Sequence, residues 1–299
     1  MTPAPRSAAA DGPAHLAAHG LSLGFDGRTV VPDINVAFAR GTVTSIIGPN
    51  GCGKSTLLRG LGRLLRPQGG SVVLEGRDMS SLSSRAIAQR MSILPQTPHA
   101  PSGLTVGELV ARGRHPRQRW YQQFSHSDEG AIVEALEATD IADLAPTPLE
   151  DLSGGQRQRA WISMILAQET DLMLLDEPTT YLDLAHQVDV LELVRRLNRD
   201  TGRTVVMVLH DISLAARYSD VILAMRDGQI VAEGPPSDVV TPELLWEVFG
   251  LRADVIREPS EGRPHVVPLG AEIARNSAVP AAVPGALAVG SAAGGGQRP

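Results

Sequence analysis

A single cysteine, Cys52, excludes an intramolecular disulfide and leaves nothing for a cysteine-based structural zinc site. Aromatic residues make up only 3% of the 299, so the core has to be built from Leu, Val, Ile and Ala. No apolar run approaches the roughly 20 residues that cross a bilayer, Val205 to Leu209 being among the longest. Arg6 is not followed by an apolar stretch, so no secretory signal is read. Positive charge is not in surplus: 27 Lys+Arg stand against 33 Asp+Glu, a net charge of −6. That balance argues against broad nucleic-acid binding and predicts no nucleic-acid partner. Together these absences predict a soluble, intracellular protein.

Lysine is almost missing as well. Lys54 is the only lysine among the 27 basic residues. Arginine serves elsewhere for surface charge, so this one position calls for a compact ammonium on a flexible stem.

Composition divides the chain. Residues 1–13 are rich in Ala and Pro and read as a disordered lead. Residues 271–299 hold nine Ala, five Gly and three Pro, too few large apolar groups to offset ordering entropy, and read as a disordered tail. Between them, strand-like and helix-like patterns interleave, and no internal repeat occurs. Strands are read at Leu16 to Phe25, Val30 to Ala39, Thr42 to Gly48, Ser71 to Glu75 and Ser92 to Gln96. Leu172 to Asp176 and Thr204 to His210 are nearly all-apolar, as for strands buried on both faces. Helices are read from about Lys54 to Leu65, His186 to Asn198 and Ile212 to Tyr218, and a hairpin at Val221 to Ala232 turns at Asp227-Gly228. Between Thr97 and Leu166 only helical patterns occur, which predicts a helical subdomain of about residues 97–166 inserted into an α/β core. Residues 251–270 alternate weakly and read as a small C-terminal extension, a hairpin without an assigned role.

Gly48-Pro49-Asn50-Gly51-Cys52-Gly53-Lys54-Ser55-Thr56 fits the pattern G-x-x-x-x-G-K-[ST], after a strand and opening a helix. Its glycines let backbone N–H groups converge on phosphate oxygens, and the helix start adds partial positive charge. Lys54 then reaches the β- and γ-phosphates, and the Ser55 hydroxyl serves a magnesium ion. Cys52 lies inside this loop, where a helix start can lower a thiol pKa; a tolerated small side chain is the simpler reading.

Leu172-Met173-Leu174-Leu175-Asp176-Glu177-Pro178 is an apolar strand ending in two carboxylates. Asp176 fits a magnesium ligand and Glu177 fits a group that orients or deprotonates water, although many strands end in Asp. Leu152-Ser153-Gly154-Gly155-Gln156 precedes a helix read from about Arg157, and is either a second anion site or a plain helix cap. Arg112, Arg114, Arg117 and Arg119 with Trp120 and Tyr121 form a basic, aromatic stretch, read as a solvated face or a partner contact.

The order of these pieces resembles the nucleotide-binding subunit of an ABC transporter over about residues 14–250: LSGGQ just before LMLLDEP, after a phosphate loop, looks like that family's signature. The resemblance implies an α/β fold: a P-loop NTPase ABC-ATPase core with an N-terminal antiparallel β subdomain and an inserted helical subdomain. It implies ATP and Mg2+ as cofactors, held by residues 48–56, with Ser55, Asp176 and Gln96 on the metal. It implies Glu177, His210, Lys54 and Gln96 as the catalytic set. Ser153, Gly154, Gly155, Gln156 and Asp183 would contact nucleotide across a head-to-tail homodimer. Phe25 lies where these proteins place an aromatic against adenine, and is otherwise a core residue. Asp183 is otherwise a helix-start residue, His210 a structural histidine, and Gln96 a polar loop residue.

With one phosphate loop and no membrane span, the resemblance implies a separate ATPase docked on integral-membrane permease subunits at the cytoplasmic face of the membrane. A substrate-binding protein would be an indirect partner. Gly113-Arg114-His115-Pro116, the run from Gln156 to Ile162, and Thr179-Thr180-Tyr181-Leu182-Asp183 are similar to ATPases of ferric-siderophore importers. Haem and cobalamin importers, and soluble ABC ATPases such as those of iron–sulfur cluster assembly, share the same ATP-site motifs.

Overall fold

A computed structural model describes residues 14–118, 125–259 and 261–271. The terminal segments 1–13 and 272–299, and Arg119, Trp120 and Tyr121 of the basic stretch, lie outside the described residues.

The all-apolar strands are explained by a sheet covered on both faces. β1 (Ala14–Phe25) and β2 (Arg28–Ala39) form a hairpin that joins β4 (Gly69–Leu74) and the short β5 (Arg77–Asp78) in an antiparallel sheet ordered β2-β1-β4-β5. The second sheet is built on β3 (Val43–Ile47), with β6 (Met91–Leu94), β7 (Leu172–Asp176), β8 (Thr204–Val208), β9 (Val221–Arg226) and β10 (Gln229–Gly234) in the order β10-β9-β3-β8-β7-β6. All neighbours in it are parallel except β10, which pairs antiparallel with β9. Successive side chains on a strand face opposite ways. Val205 and Met207 of β8 therefore join one core cluster, while Val206 and Val208 join the other.

α1 (Lys54–Leu61) packs in the cluster shared with the antiparallel sheet. It stops four residues short of the reading from sequence, because Gly60 and Gly62 weaken the helix and Arg63 turns to φ 56°. α2 (Ser84–Ala88) leads into β6. The stretch between β6 and β7 carries α3 (Val106–Arg112), α4 (His126–Ala138) and α5 (Gly154–Ala167), packed on one another and on the opposite cluster. α5 begins at Gly154 rather than near Arg157, because Ser153 and Gln156 form a reciprocal capping box that draws both glycines into the first turn. α6 (Leu184–Thr201) and α7 (Ile212–Tyr218) follow β7 and β8.

Three short helices were not read from the sequence: α2, α8 (Pro236–Val239) and α9 (Pro242–Phe249). α9 carried readable signals: Thr241 caps it, Pro242 opens it and Gly250 closes it at φ 62°. β11 (Leu251–Arg257) and β12 (Pro264–Ala271) form an antiparallel hairpin that packs on α7.

The basic stretch needs one correction. Arg112 and Arg117 are exposed, but Arg114 is buried, so it is not part of a solvated face. Its guanidinium donates to Asp128 Oδ1 at 2.8 Å, to the Ala167 carbonyl at 2.7 Å and to Glu169 Oε2 at 2.6 Å. It thus ties the ends of α3, α4 and α5 together. No helix among the described residues is long and apolar enough to cross a membrane.

Candidate functional site

Parallel pairing brings the candidate residues together. Ile46 and Asp176 both lie level with Val208, and Leu94 lies level with Leu175. The segments that leave these four strand ends therefore emerge side by side, where ligands bind in open parallel sheets. They carry Gly48 to Thr56, Gln96, Asp176 with Glu177, and His210.

The phosphate loop is held by close packing. A Cβ at Gly48 would lie 2.3 Å from the Met225 carbonyl oxygen, and Gly53 caps α1 at φ 104°. Neither position suits an L side chain. Lys54 is buried and donates through Nζ to the carbonyls of Gly48 at 2.8 Å and Pro49 at 3.1 Å. Its ammonium is thus folded back on the loop. A pocket of about 150 Å³ is lined by Val30, Asn50, Gly51, Gly53, Lys54, Ser55, Thr56, Glu177 and His210.

Ser55 Oγ donates to Asp176 Oδ1 at 2.8 Å. The other carboxylate oxygen, Oδ2, is buried and has no hydrogen-bond partner. Burial pushes the Asp176 carboxyl above its ordinary pKa, with the neighbouring Glu177 adding to the rise. An orphaned acceptor beside a hydroxyl at the foot of the phosphate loop fits a hard divalent cation, which takes few protein ligands when phosphates supply the rest.

Glu177 is the most constrained residue of the site. It adopts φ 53°, a region non-glycine residues enter only when their surroundings fix them there. Gln96 Nε2 donates to Oε2 at 2.6 Å, and Thr180 Oγ1 donates to the same oxygen at 2.9 Å. His210 Nε2 lies 2.8 Å from Oε1. Burial alone raises the Glu177 pKa, but the bonds from Thr180, His210 and Gln96 outweigh it and hold the carboxyl below its usual value. The side chain is thus an ionised base with both oxygens in use.

The structure therefore brings together residues 48–56, Gln96, Asp176, Glu177 and His210. Cys52 is buried, and burial pushes its thiol up rather than down. Phe25 is 43% exposed at the tip of the β1–β2 hairpin and does not line the pocket; Val30 of β2 does. Ser153, Gly154, Gln156 and Asp183 are exposed, Gly155 is buried, and none lines the pocket. Ser153 Oγ accepts from the Gln156 N–H at 3.3 Å, and Asp183 caps α6. Thr180 and Val30 were not singled out from the sequence. Thr180 was legible only as a hydroxyl three residues past a carboxylate.

Residues 31–180 match the family model described as ABC transporter. The chain is 50% identical over 250 residues to the probable siderophore transport system ATP-binding protein YusV of Bacillus subtilis (strain 168), covering 84% of this chain and 91% of that one. It is 49% identical over 257 residues to the ferric enterobactin transport ATP-binding protein FepC of Escherichia coli (strain K12), covering 86% and 95%. Among solved structures, the dimeric MJ0796, a bacterial ABC transporter cassette, is similar with a TM-score of 0.66 and 26% identity, covering 74% of this chain and 98% of that one.

Proposed function

The chain belongs to the ABC transporter family, and we propose that it is the ATP-hydrolysing subunit of a ferric-siderophore importer. It works as a head-to-tail homodimer on integral-membrane permease subunits, at the cytoplasmic face of the membrane, with a substrate-binding protein as an indirect partner. The observation that carries this reading is the convergence of Lys54, Ser55, Gln96, Asp176, Glu177 and His210 at adjoining parallel strand ends, beside a phosphate loop. The siderophore and enterobactin systems named for relatives at about half identity support the substrate class.

Phosphoryl transfer needs positioning and charge stabilisation more than covalent help. Lys54 leaves the Gly48 and Pro49 carbonyls for the β- and γ-phosphates, while the amides of residues 51–56 cradle the phosphate oxygens. Ser55, Asp176 and Gln96 would hold Mg2+, which when bound would neutralise charge on the phosphates. Glu177 orients the attacking water and takes its proton. His210 holds Glu177 and reaches the γ-phosphate. Ser153, Gly154, Gly155, Gln156 and Asp183 meet the nucleotide bound by the partner subunit. Closure on two ATP molecules and separation after hydrolysis move the permease between its two states.

The test compares ATP hydrolysis by the wild type and Glu177→Gln, with Mg2+ and with chelator. Turnover should need the metal and fall by about 10²–10⁴-fold in the variant, the range of a lost general base. The variant should bind ATP normally and accumulate as a dimer. Unchanged turnover would remove Glu177 from its role. Loss of growth on a ferric siderophore as iron source, on deletion of the gene, tests the substrate class.

A further inference from the structure

One side chain links two stretches that the proposed dimer presents to the partner's nucleotide. A methyl group at Gly155 would lie 2.3 Å from Cδ2 and 3.1 Å from Cγ of the His186 ring. The ring therefore fills the space beside the glycine in the first turn of α5. The same ring approaches Asp183 Oδ1 through Nδ1 at 2.7 Å, and the His186 backbone N–H donates to that oxygen at 2.9 Å. Asp183 caps α6, and these bonds hold its carboxyl below the ordinary pKa. An ionised carboxylate only accepts, so the Nδ1 atom carries the proton. A neighbouring contact runs the same way: Leu182 Cδ2 stands 3.4 Å from where a Cβ on Gly154 would be.

We propose that His186 is a positioning residue that fixes Gly155 of α5 against Asp183 of the loop before α6, so that both reach the partner subunit's nucleotide in one register. The proposal rests on the head-to-tail dimer. His186 lines no part of the phosphate pocket and is itself exposed, so its removal leaves the core and the subunit's own nucleotide site intact. It also assigns part of the requirement for glycine at 155 to a ring of the same chain. Alanine is a better helix former than glycine, so the backbone of α5 has no objection to it.

The test uses the full chain in the Glu177→Gln background and measures ATP-dependent dimerisation by sedimentation. A fluorescent ATP analogue, at protein concentrations where the chain is monomeric, reports the subunit's own site. His186→Ala should raise the ATP concentration for half-dimerisation by about two- to fivefold, the scale of a lost bond between exposed charged groups, with monomer affinity unchanged. His186→Asn, which keeps a donor near Asp183, should recover most of it. Gly155→Ala should block the dimer, and Gly155→Ala with His186→Ala should recover part of what Gly155→Ala loses. The inference is overturned if His186→Ala dimerises like its parent, if it loses monomer affinity in proportion, or if the double variant is no better than Gly155→Ala. A parent that binds ATP and never dimerises would overturn the dimer itself, a different result.

Discussion

The Gln96 side-chain amide donates to Glu177 Oε2 at 2.6 Å across 81 residues of sequence. The segment after β6 is thereby tied to the carboxylate that ends β7. Gln96 is also a proposed magnesium ligand, through the amide oxygen that its bond to Glu177 leaves free. Before nucleotide enters, Gln96 restrains Glu177, while Lys54 is folded onto its own loop. On the proposed mechanism, Lys54 exchanges its two carbonyls for phosphate oxygens when ATP binds.

Thr180 shares Glu177 Oε2 with Gln96 and stands three residues along the chain. Thr180 and His210 hold the same carboxylate alongside Gln96. Thr180→Val removes a hydroxyl donor with little change of volume. It should lower kcat about tenfold, as for a lost hydrogen bond to a charged acceptor, and leave the KM for ATP within about twofold. Thr180→Ser should restore turnover. Steady-state kinetics of the three proteins decide it, and a change confined to KM would mean that Thr180 serves binding instead.

Arg114 is buried against Asp128, whose side chain is 9% exposed. Removing Arg114 leaves the buried Asp128 carboxylate with only its bonds from Ser125 and no opposite charge. Arg114→Met should therefore lose about 3–5 kcal/mol of unfolding free energy, read by denaturant titration. Adding Asp128→Asn should return part of that loss. A variant of wild-type stability would show that the guanidinium contributes nothing to holding α3, α4 and α5.

What could be read from sequence and what could not differ by how far apart the participants lie. Residues 48–56 are a contiguous string whose chemistry is local, so they were legible alone; the Asp176-Glu177 pair is contiguous too, but took its meaning from the phosphate loop upstream. β7 and β8 were legible because burial on both faces leaves a nearly uninterrupted apolar run. Arg114 was misread as surface, since nothing local says that Asp128 and Glu169 meet it. The parts played by His186 and Thr180 were hidden for the same reason: each acts through a contact that only the folded chain makes. The start of α5 was partly legible: a helix cap at Ser153 was one of two readings, but the reciprocal bond from Gln156 that draws both glycines into the first turn was not read.

Cys52 gives a chemical probe of the phosphate loop. It is the chain's one thiol, it is 5% exposed, and burial raises its pKa. Thiolate is the reactive form, so maleimide should react slowly near neutral pH and faster only above the ordinary thiol range. A methyl at Gly48 would lie 2.7 Å from Cys52 Sγ, so no space for an adduct exists without displacing the loop. Alkylated protein should lose ATP binding, and bound ATP should slow the reaction. Fast labelling at pH 7 with full retention of ATP affinity would contradict both points.

His15 should make stability depend on pH. It is buried where β1 crosses the end of β8, with Nδ1 2.7 Å from Thr204 Oγ1. The same oxygen accepts from the Gly41 N–H at 2.9 Å, so its hydroxyl proton is free to point at Nδ1. That arrangement suits the neutral ring with its proton on Nε2, facing Glu75 at 3.5 Å. Burial and the nearby Arg40 push the His15 pKa below its ordinary 6.5, against the opposing pull of Glu75 and Asp171. The unfolded chain then binds this proton more readily than the folded one. The folded state keeps its full contribution from His15 above pH 6.5 and loses it as pH falls from there towards the depressed folded value. The slope from one such proton reaches at most about 1.4 kcal/mol per pH unit. Denaturant titrations from pH 7.5 to 5.5 should show the wild type losing more stability than His15→Asn, although the variant starts lower. Parallel curves for the two proteins would mean that Glu75 takes up the charge, and that the ring is tolerated in either state.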